Sequence, residues 1–431
     1  MITLLLALAL ASPTPRYMTR ECSRVPGGRS DRGMPCDTVS YADFELAPTT
    51  GAGMTAECAC ADVTGASGQT VTWARSSSAY CTKEGLATTG LTTTSLVLCS
   101  TNQPRVEATG NGAKGLRREA AATNLYLRSE ELNTAPNVAF TSGSSITVTA
   151  NAGTAPNNTA TADRIAFGAV TSGKSAQLYQ DIAITSGVTY TFTLHVQSES
   201  GGLTQYQWVY DSVADVALST CNYTTSTITR CQLTFTAVRT ATARYHFGNN
   251  KVGLVGTGDT AASTVLAWGF QVEVGPAPTS YIATTSGTAT RNADTVTATL
   301  SPSIAAATGS FSAKVWIEGA ISNSGILGLH NNTAGTFDTI AHNNATTVDL
   351  YVGGVAKTST VPIPDAGVFF STSGFWGAST SLTVNGATVT GTAAAAGATL
   401  DRLTVGSYVG GNVMSGIFSE ICADDDATRC Q

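Results

Sequence analysis

Runs of β-branched and aromatic residues, broken by Gly, Asn, Ser and Pro, fill the middle of the chain. In residues 190–196 (YTFTLHV) the apolar side chains take every second position, which is the period of a strand with one buried and one solvated face. Comparable runs recur from residue 145 to residue 274. About seven strands at this spacing predict a sandwich or jelly roll over residues 123–298.

The segments on either side have a similar strand-like texture. Residues 299–431 contain further runs, among them 309–318 and 417–421, and predict a second sandwich. Residues 12–122 hold six of the ten cysteines and only short strand-like runs, which indicates a small region held by disulfides. The predicted fold class is all-β: tandem β-sandwich (jelly-roll) domains preceded by a small cysteine-rich N-terminal region.

The composition agrees with an all-β protein and argues against nucleic acid as a partner. Hydrophobic residues are 42% of the chain and charged residues only 12%, which suits twisted, turn-rich sheets. The formal net charge of −6 argues against nucleic acid, because a nucleic-acid binder needs a basic face to displace counterions from phosphates. No stretch approaches the ~20 consecutive apolar residues that cross a bilayer, so no membrane span is expected.

Residues 1–11 (MITLLLALALA) resemble a short secretory signal peptide. The run ends in Ala9-Leu10-Ala11, which fits the small-x-small pattern before a signal-peptidase site. It lacks the usual Lys or Arg ahead of the apolar run. The expected location is therefore extracellular, or a virion for the reasons given below.

The cysteines fall into three sets with an even number in each, as expected if each region closes its own disulfides. Cys221 and Cys231 bracket a segment that reads as a hairpin, and Cys422 and Cys430 bracket the terminal loop. These two pairs are predicted disulfides. The six N-terminal cysteines allow 15 connectivities, and none is assigned.

A metal is not expected. Cys58-Ala59-Cys60 has no neighbouring CxxC or histidine pair and is a poor zinc signature. Asp424, Asp425 and Asp426 offer oxygens that Ca²⁺ prefers, but consecutive side chains rarely converge on one ion. The favoured interpretation is a solvated acidic turn, with Ca²⁺ as the alternative.

The order of several motifs resembles a tail-fibre and virion structural module of bacteriophages and prophages. The chain reads TWARSSSAY, then PRV, GLRREAAATNLYL and RSEEL, and finally GFQVEVGPAPTSYIATTSGTATRNAD. The family has FTRASSATYVD, PRF, GLLVEEARTNLL, RSEDF and a TSYIPTTSA-type close in that order. The matching stretches are residues 72–80, 104–106, 115–127, 128–132 and 269–294.

This resemblance covers about half of the chain and implies a tail-associated virion protein that attaches to a host. Its middle module is similar to carbohydrate-binding jelly rolls, and residues 402–421 resemble the last strands of concanavalin-like or laminin-G-like sandwiches. The cysteines, the signal-like start and Val106 in the PRF position depart from the phage pattern. Implied partners are host cell-surface polysaccharide and other virion proteins, and fibre proteins of this kind often form homo-oligomers.

Candidate glycan-binding residues are aromatic. Tyr206, Trp208 and Tyr210 alternate on one predicted strand and share a face that could stack on sugar rings; the alternative is that they fill the core between two sheets. Trp376 lies in SGFWGAS, which reads as a loop and would expose the ring at a binding rim.

The four histidines lie in different segments, and none of them belongs to a catalytic motif. An enzyme is therefore not expected. Three functions remain open: a virion protein that binds host glycan in a lectin-like way, a purely structural or decoration virion protein without a sugar ligand, and a secreted bacterial adhesin. A polysaccharide depolymerase is the enzyme alternative.

Overall fold

The computed structural model describes residues 41–42, 71–82, 96–101, 105–108, 114–142, 144–170, 175–201, 204–225, 228–249, 261–317, 324–331, 337–343, 347–353, 355–362, 369–397, 399–407 and 414–424. All regular structure in these ranges is β-strand, which confirms the all-β prediction. The predicted signal peptide at residues 1–11, Cys430 and four of the N-terminal cysteines lie outside the described residues.

Seven short strands precede the jelly roll: β1 (Tyr41–Ala42), β2 (Val71–Ala74), β3 (Ala79–Thr82), β4 (Leu96–Cys99), β5 (Val106–Ala108), β6 (Lys114–Arg118) and β7 (Ala122–Asn124). The jelly roll itself contains β8 (Val138–Ser142), β9 (Ile146–Gly153), β10 (Ala162–Phe167), β11 (Ser175–Ile184), β12 (Thr189–Gly201), β13 (Thr204–Tyr210), β14 (Asp215–Asn222), β15 (Thr229–Thr236), β16 (Ala241–Asn249) and β17 (Ser263–Val274).

Twelve strands follow: β18 (Ala289–Arg291), β19 (Thr295–Ile304), β20 (Gly309–Ile317), β21 (Ser324–His330), β22 (Phe337–Asn343), β23 (Thr347–Val352), β24 (Val355–Pro362), β25 (Phe369–Trp376), β26 (Thr380–Val384), β27 (Ala387–Gly391), β28 (Leu400–Val405) and β29 (Gly416–Asp424).

The jelly roll consists of two antiparallel sheets of five strands each. The order β14-β13-β16-β11-β8 defines the front sheet, and β15-β12-β17-β10-β9 defines the back sheet. Aromatic side chains fill the space between them, including Phe192, Tyr245, Phe247 and Phe270. Burying each such side chain contributes roughly 1.5–3 kcal/mol, so this core accounts for much of the module's stability.

The predicted Cys221–Cys231 disulfide is confirmed. Its position differs from the hairpin that the sequence suggested, because β14 belongs to the front sheet and β15 to the back sheet. The disulfide therefore ties the two sheets together at one edge of the sandwich. The side chain of Cys422 lies outside the described residues, so its pairing with Cys430 stays a prediction.

The expectation of one solvated face on β12 is wrong. The outward residues Thr191, Thr193 and His195 are at most 1% exposed. Residues 275–284 cover this part of the back sheet: the Thr191 hydroxyl donates to the Gly275 carbonyl at 2.8 Å, and the His195 ring lies 6.3 Å from that of Tyr281. The alternation of apolar and polar residues correctly indicates a strand, but it does not show which face meets solvent. In β12 both faces are covered.

Most of the remaining strands form a second sandwich around its own apolar core, while β3 and β4 pair only with each other as a separate two-stranded sheet. One sheet has the order β27-β26-β25-β20-β29-β6-β5, with β1 also paired to β29, and the other has the order β2-β19-β28-β21-β22-β23-β24. β2, β5 and β6 therefore extend sheets made mainly by residues 295–424. The domain boundaries at residues 122 and 298 stay predictions. The pairing of β2 with β19 and of β6 with β29 joins residues on both sides of them.

The chain enters and leaves the jelly roll at adjacent positions. β7 and β18 pair as a two-stranded ribbon, with Ala122 opposite Arg291 and Asn124 opposite Ala289. We call this ribbon the neck. The jelly roll is thus inserted between strands of the second sandwich.

Candidate functional site

Alternation along β13 determines which side chains face away from the core. Val209 belongs to the jelly-roll core, so Tyr206, Trp208 and Tyr210 point to the outer face of the front sheet. The interpretation that these three rings fill the space between the sheets is therefore wrong. Tyr245 and Phe247 do fill that space.

Strand register aligns the three rings with residues on β16 and β11. Trp208 lies opposite His246, and His246 opposite Tyr179. The neighbouring rows are Tyr206, Gly248 and Gln177 on one side, and Tyr210, Arg244 and Asp181 on the other. We call these nine residues the front face.

The centre of the front face is buried. Trp208 is 1% exposed and His246 is 5% exposed, and their rings stack with centroids 4.6 Å apart and planes 6° apart. Burial, and secondarily the charge of Arg244, lowers the pKa of His246 to about 3, so this ring is neutral near pH 7. Trp208 was predicted to stack on sugar, but its ring is packed against protein.

The rim of the front face is accessible. Tyr206, Tyr210 and Tyr179 are half-buried. The Arg244 guanidinium lies 4.7 Å from the centre of the Tyr179 ring and donates to Asp181 at 3.0 Å. The rim thus presents three phenol rings beside one charge-balanced ion pair.

The edge strand β8 continues this surface. Tyr179 is opposite Val138 and Gln177 is opposite Phe140, and the exposed fractions of the two apolar residues are 40% and 43%. An exposed Phe beside half-buried tyrosines gives a ring-rich strip across neighbouring strands. Such a strip suits the apolar faces of sugar rings.

Trp376 does not lie at a rim. It ends β25, pairs with Gly309 and is 0% exposed. Its indole N–H donates to the Ala306 carbonyl at 3.3 Å, and a Cβ on Gly309 would lie 2.3 Å from the ring. Gly309 and Gly374 mark close packing in the second sandwich. Residues 377–379 form a bend after β25, but the prediction that the Trp376 ring is exposed at a rim is wrong.

The back sheet offers no comparable open face around Trp268. Its ring contacts Tyr281 with centroids 4.2 Å apart, and Tyr80 of β3 lies edge-on at 6.3 Å. Trp268 is 1% exposed, as expected of a core residue. Strand β3 and residues 275–284 together therefore cover this region.

Within the described ranges, no group of three or more His, Cys, Asp or Glu side chains is arranged to hold a metal ion. Asp425 and Asp426 lie outside those ranges. In the described part of the chain, no helix has the length and apolarity needed to cross a membrane.

No family model matches the chain, and no curated protein matches it. Solved structures do match the chain, among them three at low sequence identity. The tandem CBM22 domains of Xyn10C from Paenibacillus barcinonensis share 9% identity over 72% of this chain and 98% of that one, with a TM-score of 0.27.

Domains LG4-5 of the mouse laminin alpha1 chain share 11% identity over 61% and 95%, with a TM-score of 0.22. The Stig cyclase FisC from Fischerella sp. TAU, in complex with (3Z)-3-(1-methyl-2-pyrrolidinylidene)-3H-indole, shares 10% identity over 36% and 100%, with a TM-score of 0.23. At these TM-scores the similarities carry no argument about function.

Sequence reasoning missed Tyr179, His246 and Arg244. They lie on β11 and β16, roughly 30 to 40 residues to either side of the aromatic stripe on β13. No local signal marks them, because only the pairing of the strands brings them into one row.

Proposed function

We propose that this protein is a tail-associated virion protein that binds host cell-surface polysaccharide on the front face. The virion role is supported by the ordered motifs in residues 72–294 that resemble the phage module. The glycan role is supported by the geometry of the jelly roll.

The observation that carries glycan binding is the accessible rim of tyrosines on the outer face of the front sheet. Tyr206, Tyr210 and Tyr179 come from two strands separated by β16, so their rings are spread over a surface about two strand spacings, roughly 10 Å, wide. Sugar rings present apolar C–H faces that pack on such phenols, and their hydroxyls can bond to Arg244 or Asp181.

The ion pair between Arg244 and Asp181 favours a neutral saccharide at this rim. The two charges balance, and both side chains remain nearly half exposed, at 46% and 44%. His246 adds no charge near neutral pH, because its pKa is about 3. A polyanionic glycan would find no net positive charge among these three residues.

The glycan site is tested by titrating the full chain with polysaccharide purified from the host surface, followed by calorimetry. Tyr206→Ala and Tyr210→Ala should each weaken binding by about tenfold, the loss expected for an aromatic anchor worth more than 1 kcal/mol. Tyr351→Ala, which removes a half-buried tyrosine from the second sandwich, is the matched control and should bind normally. Equal affinity in all four proteins would place any binding elsewhere.

The burial of Trp208 favours a second candidate, a structural or decoration virion protein with no sugar ligand. In that case the face would contact another virion protein. Absence of binding to every host polysaccharide, with the protein present at stoichiometric levels in particles, would favour this candidate. Polysaccharide chain length, measured in the same incubations, tests the depolymerase alternative, for which we expect no shortening.

Mass spectrometry of purified phage particles and of cell-free supernatant tests the virion role. We expect stoichiometric amounts in particles. Detection in the supernatant alone, with a mature N-terminus at Ser12, would instead favour a secreted adhesin. Light scattering of the purified protein measures whether it forms a homo-oligomer.

A further inference from the structure

A buried cluster of charged residues lies at the base of the neck. Two carboxylates, Glu119 and Asp294, are both 0% exposed. Five arginines surround them, and none is more than 7% exposed: Arg75, Arg105, Arg117, Arg118 and Arg291. We call these seven residues the junction cluster.

Asp294 joins three separate segments. Its Oδ1 accepts a hydrogen bond from Arg75 at 2.9 Å, and its Oδ2 accepts from Arg105 at 2.5 Å. The same Oδ2 accepts from the backbone N–H of Glu119 at 2.9 Å. The carboxylate therefore connects the chain after β2, the chain before β5 and the chain after β6 to the start of β19.

Glu119 extends these contacts to the jelly roll. Its Oε1 accepts from Arg117 at 2.7 Å and from the backbone N–H of Ser280 at 2.8 Å. Its Oε2 lies 2.8 Å from Arg105 Nη1 and 3.4 Å from Arg291 Nε. Ser280 belongs to the segment that covers the back sheet, so one buried carboxylate contacts both sandwiches.

The charges of the junction cluster oppose separation of the two sandwiches. Burial alone would raise the pKa of Glu119, but the charges of Arg291, Arg117 and Arg105 outweigh it and hold that pKa well below its ordinary value. Separating the sandwiches would expose some of these groups and leave others buried without a counter-charge, which is strongly unfavourable. A two-stranded neck alone would otherwise be a natural hinge.

A second contact lies beyond the neck and runs through the two-stranded sheet of β3 and β4, whose Tyr80 carbonyl accepts a hydrogen bond from Arg105 of the junction cluster. The backbone N–H of Leu96 in β4 donates to the Pro156 carbonyl of the jelly roll at 2.6 Å, and Tyr80 packs on Tyr281 with centroids 5.4 Å apart. We propose that the junction cluster fixes the jelly roll on the second sandwich, so that the two unfold as one cooperative unit and the front face is held in one orientation.

Differential scanning calorimetry of the full chain tests this proposal. The unaltered protein should show a single transition whose calorimetric and van't Hoff enthalpies agree. Glu119→Gln, which removes the charge but keeps the shape, should split that transition in two. The matched control is Glu199→Gln, because Glu199 pairs with Arg164 at the surface, where the two side chains are 27% and 40% exposed; it should keep one transition.

Hydrogen exchange locates the effect. The amide of Glu119 bonds to Asp294 Oδ2 and that of Asp294 bonds to the Glu119 carbonyl. In Glu119→Gln both should exchange about 100-fold faster, as expected when one partner of a buried pair is removed, and in Glu199→Gln they should not change. Two transitions in the unaltered protein, or unchanged transitions and exchange in Glu119→Gln, would overturn the proposal.

Should Glu119→Gln fail to fold, the unaltered chain and Arg291→Lys decide the question. Arg291→Lys keeps a positive charge but loses the hydrogen bonds that Arg291 donates to the carbonyls of Ala120 and Asn292. A single transition that broadens or splits in this variant supports the proposal. Unchanged cooperativity in Arg291→Lys shows that the junction cluster does not couple the unfolding of the two sandwiches.

Discussion

At the residue scale, Trp208 packs within the protein: it is 1% exposed, and its ring stacks on that of His246. The alternation on β13 correctly placed it with Tyr206 and Tyr210, because side-chain direction follows directly from strand geometry. Exposure does not follow from alternation. It depends on His246 and on other residues that are distant in sequence. Trp376 was predicted to be exposed for a different reason: the Gly and Ser residues around it suggested a loop, whereas Phe369–Trp376 forms β25.

Trp208→Ala should therefore destabilise the protein rather than only weaken binding. Removing a fully buried indole that stacks on His246 should lower the free energy of unfolding by about 3–5 kcal/mol. Urea denaturation measures this loss. Trp208→Phe, which keeps an aromatic ring, should cost much less, and Tyr206→Ala at the half-buried rim should cost less still; equal losses in all three would mean that Trp208 is not packed as described.

His246 predicts a pH dependence of stability. Its pKa is lowered to about 3 in the folded protein and lies near 6.5 in an unfolded chain. The unfolded state therefore binds the proton first as the pH falls, so the stabilisation present above pH 6.5 is lost progressively down to about pH 3.

His246→Gln removes this titration while keeping a polar side chain of similar length. Between pH 6.5 and 4 the unfolding free energy of the unaltered protein should fall more steeply than that of the variant, by up to about 1.4 kcal/mol per pH unit. Denaturant melts across this range measure the two slopes. Parallel slopes would show that His246 stays protonatable in the folded state.

At the element scale, strand positions were largely predictable and strand partners were not. The runs in residues 145–274 correspond to β9–β17 because β-branched and aromatic residues favour strands locally. The pairing of β2 with β19 joins residues 71–74 to residues 295–298, with the whole jelly roll between them. Nothing in either segment encodes so distant a partner.

The cross-sheet position of Cys221–Cys231 leads to a prediction about β14 and β15. Replacing both cysteines with alanine should lower the free energy of unfolding by roughly 2–3 kcal/mol, given the short loop that the disulfide closes. The loss should be concentrated at the edge where the two sheets meet, seen as faster amide exchange in β14 and β15 and unchanged exchange in β9. Equally faster amide exchange in all strands of the jelly roll would contradict a stabilising effect confined to this edge.

At the scale of the whole molecule, the motifs that resemble the phage module acquire a structural explanation. Residues 72–80, 104–106, 115–127 and 269–294 contribute Arg75, Arg105, Glu119 and Asp294 to the junction cluster. The recognisable stretches thus build the contact between the sandwiches, whereas the front face lies on β11, β13 and β16, outside them. Under the proposed function, the residues that hold the two sandwiches together and the residues that would contact the glycan lie in different parts of the chain.

This separation predicts how a ligand would act at a distance. If the sandwiches unfold as one unit, saccharide bound only to the folded front face stabilises the entire molecule, by about 2.7 kcal/mol at a concentration 100 times the Kd. Hydrogen exchange with and without saturating host polysaccharide measures this. The slowest-exchanging amides of β19, in the other sandwich, should slow together with those of β16. Slower exchange in β16 alone would mean that the ligand stabilises only the jelly roll and that the jelly roll unfolds independently of the second sandwich.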